Sequence, residues 1–499
     1  MFVLALDVGS SSVRAFVYDQ EGRRVGGAKL AYAWRTAPGG GVEVEPELLL
    51  DRLAGAIDAA IHEARASGTR PMAVGVSALW HTVLGVAGDG RPVTPVYSWS
   101  DMRAAGAARE LRGELDQAAV HARTGASLHP GYLPARIRWI RREQPGAARA
   151  RWWMSAPEWL ELQLFGDPRV SVSMASGTGL FDQRRNDWDP EMLEAAGITA
   201  DQLPPLTDLD EPRSGLAEPW RARWPELDRI PWLSAIGDGV AANVGSGCVD
   251  RTRAALSIGT SGALRVLFRE ADPVVPPDLW CYRLDRERAV MGGAISNGGG
   301  VYRWLRQTLR LPADSDALDA AVAELPPDGH GLTVLPFWAG ERSPHWPLGA
   351  TATIEGLTTG TTSLQIVRAS LEAVSYRLGY LRQRIRERFP DAETVIGSGA
   401  ALRESPTWAS MISDVFGEPL AVAAEEEASA RGVALLALVA AGALSDPGAV
   451  PVDLASVVHP DPERHALYQE GYRRHWALDA TAVGERDTAR DWSSRAHGL

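Results

Sequence analysis

The sequence predicts an α/β protein built from two related domains. Strand-like apolar segments alternate with amphipathic helical segments, which is typical of layered α/β folds. A strand–turn–strand pattern occurs twice, about half a chain apart, and the 499 residues are too many for a single core. Hydrophobic residues make up 45% and charged residues 23% of the chain, so a largely disordered chain is excluded.

The repeated pattern begins at the first residues. An apolar strand at Phe2–Leu6 leads into the turn Asp7-Val-Gly-Ser-Ser-Ser12 and a second strand at Val13–Tyr18. The same order returns as Ala254–Ile258, the turn Gly259-Thr-Ser-Gly262 and Ala263–Phe268. The turn glycines Gly9 and Gly259 are 259 − 9 = 250 positions apart. We therefore expect a duplicated domain.

A turn-rich segment, residues 245–251, precedes the second hairpin and marks a domain boundary. The expected domains are residues 1–248 and 249–485. The polar residues 486–499 have the composition of a disordered tail.

Other segments complete the alternation. We expect a strand at Met72–Val76, helices at Glu47–Ala66 and Leu364–Phe389, and a buried helix in the apolar run Val433–Leu444, which is too short to span a bilayer. A further strand leads into the glycine turn of Val395–Ala400. Ser405 and Pro406 then have the N-cap and first-turn pattern of another helix.

Charge and cysteine usage exclude several functions. The formal charge is 51 − 63 = −12, which disfavours binding to nucleic acid or to an anionic membrane surface. The two cysteines, Cys248 and Cys281, form neither a disulfide framework nor a four-ligand zinc site. The first residues also lack the pattern of a signal peptide. We expect reduced thiols in a cytoplasmic protein.

Both repeated turns consist of small residues directly after a strand. Such turns direct backbone N–H groups and hydroxyls into a small volume, which suits phosphate oxygens. An ordinary hairpin turn explains one of them equally well, but a repeated pair favours phosphate binding. Asp7, at the end of the first strand, is either a Mg²⁺ ligand, directly or through water, or a turn-capping residue.

A carboxylate also stands at the end of a later strand. Asp238 lies between two glycines, where Pro231–Gly239 runs into a helical pattern. A carboxylate that accepts the hydroxyl proton is the usual protein contribution to phosphoryl transfer to an alcohol. Asp is also a preferred N-cap residue. The local pattern leaves the two roles open.

Two segments combine aromatic and polar groups, Ser77–His81 and Tyr97–Arg103. A Trp face packs against the C–H side of a polyol while His, Asp and Arg bind its hydroxyls. Any single Trp among the 18 in the chain is more simply a core residue, so the clustering carries the prediction.

With these motifs the chain resembles the FGGY family of carbohydrate kinases, which have two actin-like, ribonuclease H-like domains and a cleft between them. The most specific match is Ala352-Thr-Ile-Glu-Gly-Leu357, a seven-residue gap and Gln365-Ile-Val-Arg-Ala-Ser-Leu-Glu372, which satisfies the family's second signature. The first signature is broken: Arg136 replaces Lys, Leu133 replaces Pro, Ser or Thr, and Gly131 stands where glycerol kinases carry Tyr.

The resemblance implies roles for matching positions. Asp238 matches the catalytic base. The residues implied in sugar binding are Trp80, His81, Trp99, Asp101 and Arg103. Those implied in binding ATP are Ser10, Ser11, Arg14, Gly259, Thr260, Gly299, Arg303, Gly399 and Ala400, with Asp7 on Mg²⁺.

The resemblance also implies a substrate class. Residues 173–182, 295–305 and 335–346 are similar to gluconate kinases of the family, although Leu79-Trp80 replaces their Ala-Met before the histidine. A carboxylated substrate needs a cation, and Arg103, Arg136 and Arg342 are candidates. We expect a gluconate kinase that uses ATP and Mg²⁺. The alternatives are a xylulose-type or other polyol kinase and, more remotely, a non-catalytic actin-like nucleotide switch. A homodimer is left open.

Overall fold

The computed structural model describes residues 1–66 and 68–486. The predicted tail, residues 486–499, lies outside the described residues beyond Arg486. The strands are β1 (Phe2–Val8), β2 (Ser12–Tyr18), β3 (Arg24–Ala31), β4 (Arg35–Ala37), β5 (Gly41–Val44), β6 (Pro71–Ala78), β7 (Leu84–Val86), β8 (Val96–Tyr97), β9 (Trp152–Met154), β10 (Val170–Ser171), β11 (Phe181–Asp182), β12 (Asp187–Trp188), β13 (Leu206–Thr207), β14 (Ile236–Gly237), β15 (Arg253–Ile258), β16 (Gly262–Arg269), β17 (Trp280–Arg283), β18 (Arg288–Ile295), β19 (Thr333–Leu335), β20 (Thr353–Glu355), β21 (Thr394–Ser398), β22 (Leu420–Ala423) and β23 (Leu454–Val458).

The helices alternate with these strands, as expected. They are α1 (Pro46–Ala66), α2 (Ala105–Glu114), α3 (Gln117–Thr124), α4 (Leu133–Glu143), α5 (Ala156–Phe165), α6 (Val172–Ser176), α7 (Pro190–Ala196), α8 (Trp220–Arg223), α9 (Asp238–Gly245), α10 (Gly299–Thr308), α11 (Ser315–Ala323), α12 (Ser363–Arg388), α13 (Ala400–Glu404), α14 (Pro406–Phe416), α15 (Ala428–Ala440) and α16 (Pro462–Arg486).

The chain forms two compact units. The first comprises Met1–Arg253, Val266–Met291 and Glu427–Val452. The second comprises Ala254–Arg265, Gly292–Glu426 and the described chain from Asp453 on. Each unit is therefore assembled from segments that are distant in sequence, and a single boundary near residue 248 remains a prediction.

The first unit is organised around a five-stranded sheet with the order β14-β6-β1-β2-β3. Strands β1 and β2 form the predicted antiparallel hairpin, with Val8 opposite Val13. Strands β14, β6 and β1 run parallel. Every residue of β1 is buried, as its unbroken apolar run from Phe2 to Leu6 predicts. The carboxyl ends of three neighbouring strands consequently meet at one edge of the sheet.

Helix α15 packs against β1, β6 and α9 in this unit. Glycines allow the close approach: a Cβ at Gly245 would lie 1.8 Å from the Ala428 carbonyl oxygen, and one at Gly432 would lie 1.9 Å from that of Ala241. The predicted buried helix in the apolar run is confirmed. It begins earlier than expected and ends at Ala440, because Gly442 adopts a left-handed φ of 72°.

In the second unit, strands β15, β21, β22 and β23 are neighbours in this order within a sheet. Strands β15 and β16 are neighbours and form the second predicted hairpin. Helix α12 begins at a capping box in which the Thr362 hydroxyl accepts the Gln365 N–H. Helix α14 begins as predicted, with the Ser405 hydroxyl accepting the Trp408 N–H and Pro406 in the first turn.

Two further observations concern the cysteines and the length of the helices. Cys248 and Cys281 are both buried and free of disulfides. In the described part of the chain, no helix has the length and apolar character needed to cross a membrane.

Candidate active site

A first group of predicted site residues lies where three parallel strands of the first unit end. Asp7 in β1 is opposite Ser77 in β6, and Ser77 is opposite Ile236 in β14. The residues that follow these positions are therefore brought to one edge of the sheet. After β1 comes the turn of residues 9–12, which we name the first phosphate turn. Trp80 and His81 follow β6, and Asp238 follows β14. Sequence motifs separated by more than 200 positions thus converge within one unit.

The carbonyl groups of the first phosphate turn accept hydrogen bonds from other groups of the protein. The Gly9 N–H donates to the Ser12 carbonyl at 3.1 Å, and the Ser11 carbonyl accepts the Tyr32 N–H at 3.1 Å. The Tyr32 hydroxyl donates to the Gly9 carbonyl at 2.6 Å, and the Trp34 indole donates to the Ser10 carbonyl at 2.7 Å. Ser10 and Ser11 are exposed. The turn therefore presents donor groups, which suits an anion.

Behind this turn, four charged side chains form a chain of ion pairs. Arg14 contacts Asp7 Oδ2 at 2.5 Å through Nη1 and Glu427 Oε2 at 3.0 Å through Nε. Lys29, the only lysine in the sequence, contacts Glu427 Oε1 at 3.1 Å. Gly9 gives the guanidinium its room, since a Cβ there would lie 2.8 Å from Arg14 Nη1. The position implied for phosphate binding is thus held between two carboxylates.

The Asp7 carboxyl is compatible with a bound Mg²⁺. Its side chain is buried, and Oδ1 makes no hydrogen bond of standard geometry among the described residues, although the Ser77 hydroxyl is close enough to favour the ionised carboxylate. Burial raises the pKa of Asp7, against the opposing attraction of Arg14. A buried carboxylate oxygen without a partner is costly, and a hydrated divalent cation would satisfy it.

Asp238 is the first residue of α9, and the N-cap position belongs to Gly237. Its Oδ1 accepts the N–H of Gly239 at 2.8 Å, and its carbonyl accepts the Ser429 hydroxyl at 3.2 Å. The side chain is half-buried at the sheet edge. The N-cap alternative is therefore not realised, and the carboxylate remains placed for proton transfer.

Trp80 and His81 lie beside Asp238. The Trp80 ring covers Gly237 so closely that a Cβ there would lie 1.8 Å from the ring, and Nε1 donates to the Ser173 carbonyl at 3.1 Å. His81 has a left-handed φ of 63°. Its Nδ1 lies 2.6 Å from the Gly177 carbonyl. A carbonyl accepts only, so Nδ1 carries the proton, and Nε2 is an acceptor when the ring is neutral.

Three aromatic residues that the sequence analysis did not single out surround His81. Tyr132 and Tyr282 lie with ring centroids 5.1 and 5.5 Å from that of His81, and their hydroxyls are 2.6 Å apart. Trp280 stacks on Tyr282 at 4.4 Å. Tyr132 follows Gly131 in the broken signature, which is the one local signal that pointed to it. Trp280 and Tyr282 lie about 200 positions from His81, and only the fold brings them there.

Arg136 is fully buried beneath this cluster. It donates to the carbonyls of His81 at 2.5 Å, Gly131 at 2.9 Å and Pro130 at 3.1 Å. No carboxylate of the described residues lies within ion-pair distance of it. Burial lowers the pKa of Arg136 to about 10, against the attraction of Asp101. The side chain fixes the strained His81 backbone and adds positive charge below it.

The segment Trp99–Arg103 forms a compact network. Asp101 is buried and accepts the Val42 N–H at 3.0 Å. Arg103 binds Asp101 through Nε at 3.1 Å and Glu43 through Nη2 at 2.6 Å, and stacks on Trp139. Its Nη1 makes no hydrogen bond within the described chain, and the side chain is 17% exposed.

Trp99 is half-buried, with its carbonyl oxygen 3.4 Å from the Cβ position of Gly131. Arg342, the third candidate cation, belongs to the second unit and donates from Nη2 to the Ile295 carbonyl at 3.1 Å.

A second group of predicted site residues lies within the second unit. The N–H groups of Gly299 and Gly300 donate to the carbonyls of Gly259 and Thr260 at 2.8 and 3.0 Å. A Cβ at Gly299 would lie 2.8 Å from the Gly259 oxygen. Gly259 and Thr260 are exposed, as is Arg303 one turn further along α10.

The loop that carries Gly399 and Ala400 reaches the turn at Gly259 and Thr260. Gly399 has a left-handed φ of 107°, and a Cβ there would lie 2.4 Å from the carbonyl oxygen of Ile258, directly before the turn. Gly399 is the N-cap residue and Ala400 the first residue of α13, where Ala400 is exposed. The structure therefore groups the five implied positions Gly259, Thr260, Gly299, Gly399 and Ala400.

Comparison with known proteins agrees with this arrangement. Residues 2–245 match the N-terminal domain, and residues 254–441 the C-terminal domain, of the FGGY family of carbohydrate kinases. A gluconokinase of Bacillus subtilis (strain 168) is 29% identical over 465 residues, covering 90% of this chain and 89% of the relative.

Solved structures of similar fold include two from Lactobacillus acidophilus. A ligand-bound xylulose kinase superposes with a TM-score of 0.89 at 22% identity, covering 98% of this chain and 99% of the other. A gluconate kinase superposes with a TM-score of 0.88 at 22% identity, with the same coverage. At these identities the superpositions show the fold alone.

Proposed function

The chain belongs to the FGGY family of carbohydrate kinases, and from this premise we propose that it transfers the γ-phosphoryl group of ATP to a hydroxyl of gluconate, with Asp238 as the general base. As a member of this family it is a carbohydrate kinase, not the actin-like nucleotide switch considered from the sequence. One observation carries the assignment of the base: β1, β6 and β14 end together and bring Asp7, His81 and Asp238 to one sheet edge.

In the proposed mechanism, Asp238 accepts the proton of the attacking hydroxyl while His81 Nε2 accepts a hydrogen bond from a neighbouring one. Asp7 would hold Mg²⁺, directly or through water. When bound, that ion would neutralise the charge of the phosphates. Ser10, Ser11 and Arg14 in the first unit, and Gly259, Thr260 and Gly299 in the second, are proposed to contact ATP.

Two observations support a sugar acid. Arg103 is oriented by Asp101 and Glu43 and keeps Nη1 for a further acceptor. Arg136 adds a buried positive charge beneath His81 that no carboxylate of the described chain contacts directly. We propose that Arg103 binds the substrate carboxylate and that Arg136 acts through its field and through the position of His81. The gluconokinase relative is in line with this proposal.

Trp80 favours a competing substrate. Its ring covers Gly237 and Gly177, and this bulk narrows the space beside Asp238. A smaller neutral ketose such as xylulose is the alternative.

A coupled ADP-release assay with gluconate, xylulose and glycerol decides between the substrates. We expect gluconate to give the highest kcat/KM and Arg103→Gln to raise the KM for gluconate more than that for a neutral polyol. Turnover of xylulose without turnover of gluconate would replace the first assignment by the second.

Asp238→Asn tests the base. We expect kcat to fall about 10²- to 10⁴-fold, the usual contribution of a general base, while ATP binding by calorimetry is retained. Asp316→Asn is the matched control, because Asp316 also lies in a first helical turn and is exposed. Similar activity of the two variants would refute the role of Asp238.

The proposed location is the cytoplasm. Cys248 and Cys281 are buried and, among the described residues, in no disulfide, which is usual in reducing compartments.

A further inference from the structure

A groove of about 360 Å³ lies in the second unit. Its lining residues are distant in sequence from the second phosphate turn, residues 259–262. Helix α12, the end of α14 and helix α16 form its walls. Its volume is within the range of small-molecule sites. The lining includes Arg382, Arg386, Phe416, Glu418, Gln469 and Tyr472.

Arg382 is the central group of the groove. Its side chain is 3% exposed, and Nε and Nη2 donate to Glu418 Oε2 at 2.8 and 2.6 Å. The third nitrogen, Nη1, is buried and has no hydrogen-bond partner among the residues that the structure describes. Leaving a charged donor buried and unpaired is costly, so this atom calls for an acceptor.

The surrounding charges leave the groove positive. Arg386 Nη1 lies 2.7 Å from the other oxygen of the same carboxylate, Glu418 Oε1, at ion-pair distance but without hydrogen-bond geometry. Two guanidinium groups therefore share one carboxylate. Glu387 does not supply the missing negative charge, because Arg384 already contacts it at 2.5 Å. An oxyanion would balance the excess charge at short range.

The remaining lining indicates what else the ligand carries. Phe416 and Tyr472 offer aromatic surface, and Gln469 offers amide donors. We propose that this groove is a binding site for a small organic oxyanion, whose carboxylate or phosphate pairs with Arg382 Nη1 and Arg386 and whose apolar part covers Phe416 and Tyr472. The proposal is independent of the sugar substrate, because every residue involved lies in the second unit.

Fluorine NMR titration of the full chain tests this site. The probes are para-fluorobenzoate and para-fluorophenyl phosphate, which separate carboxylate from phosphate recognition, with excess ADP present to occupy the nucleotide site. We expect saturable binding of at least one probe. Gln469→Glu places a negative charge at the groove on an exposed position of α16 and should weaken binding about tenfold or more.

The matched control is Ala480→Glu, which adds the same charge to an exposed position about 16 Å further along α16. It should leave binding unchanged. Arg386→Gln, at a side chain that is 61% exposed, removes the excess cation without emptying the core and should also weaken binding. Absence of saturable binding in the wild-type chain, or equal affinities of Gln469→Glu and Ala480→Glu, would overturn the proposal.

Discussion

The two phosphate turns share a backbone plan but differ in what supports them. The first turn is backed by ionised side chains, with Arg14 between the carboxylates of Asp7 and Glu427. The second turn carries no ionisable residue between Ile258 and Gly262, and it is supported by the N–H groups of Gly298, Gly299 and Gly300.

This difference separates two tasks that a duplicated hairpin can acquire. A turn next to a buried carboxylate suits a metal ion and a phosphoryl group whose charge changes during transfer. A turn closed by glycines brings the backbone near the ligand and provides neutral donors. The proposed roles of the two turns follow this division.

Removing the cation of the first turn should have the largest effect. Arg14→Gln leaves the carboxylates of Asp7 and Glu427 without the guanidinium between them, so we expect the free energy of unfolding to fall by about 3 kcal/mol and activity to be largely lost. Chemical denaturation measures the first effect and ADP release the second.

Arg23→Gln is the control for that experiment, because Arg23 follows the same hairpin but its ion pair with Asp19 is exposed. We expect no measurable change in stability. A comparable loss in both variants would mean that the ion pairs behind the turn are not special.

In the second unit, a buried histidine should make stability depend on pH. Burial, and then the nearby Arg377, lower the pKa of His475 to about 3. In the unfolded chain His475 is protonated below about pH 6.5, whereas in the folded unit it stays neutral. The free energy of unfolding therefore decreases as pH falls below 6.5. Between pH 7 and 4.5 this residue should account for about 2 kcal/mol.

Thermal unfolding at several pH values tests this, with His475→Gln expected to flatten the dependence and the exposed His62→Gln expected to leave it intact. The first unit contains a group of opposite sign. Burial raises the pKa of Glu158 to about 7, so its contribution is lost as pH rises from about 4.5 to 7. For the second unit, a pH dependence of stability in His475→Gln that equals that of the unsubstituted protein would contradict the role given to His475.

The smallest effect is expected at the glycine support of the second turn. Gly299→Ala would place a Cβ 2.8 Å from the Gly259 carbonyl oxygen, and the resulting shift should raise the KM for ATP about tenfold with little change in the KM for the sugar. Gly106→Ala is the control, because it also lies at the start of a helix and its Cβ would meet nothing within 4 Å. Equal kinetics in the two variants would show that the close approach is dispensable.

Local patterns in the sequence predicted much of the fold. Both hairpins, the long helix α12 and the start of α14 follow from apolar runs, turn residues and caps, because these signals act over a few residues. The position of Asp238 was also predicted. Its distinction from an N-cap residue required the structure, which gives that place to Gly237.

The support of the site could not be predicted in the same way. Glu427 contacts Arg14 across 427 − 14 = 413 positions, and the acidic run at 425–427 reads as a solvated surface segment. Tyr282 reaches His81 only through the fold. A single motif also does not show that Arg136 is completely enclosed, because burial is a property of the packed chain.

The single lysine of the sequence is a unique target for reagents that are specific for lysine. Lys29 is 52% exposed and bonded to Glu427 beside the first phosphate turn. An endoproteinase specific for lysine has one recognition residue and would divide the chain into pieces of 29 and 499 − 29 = 470 residues. An amine-reactive dye would mark this same position and the α-amino group, so an optical reporter can be attached next to the proposed phosphate contacts without any substitution.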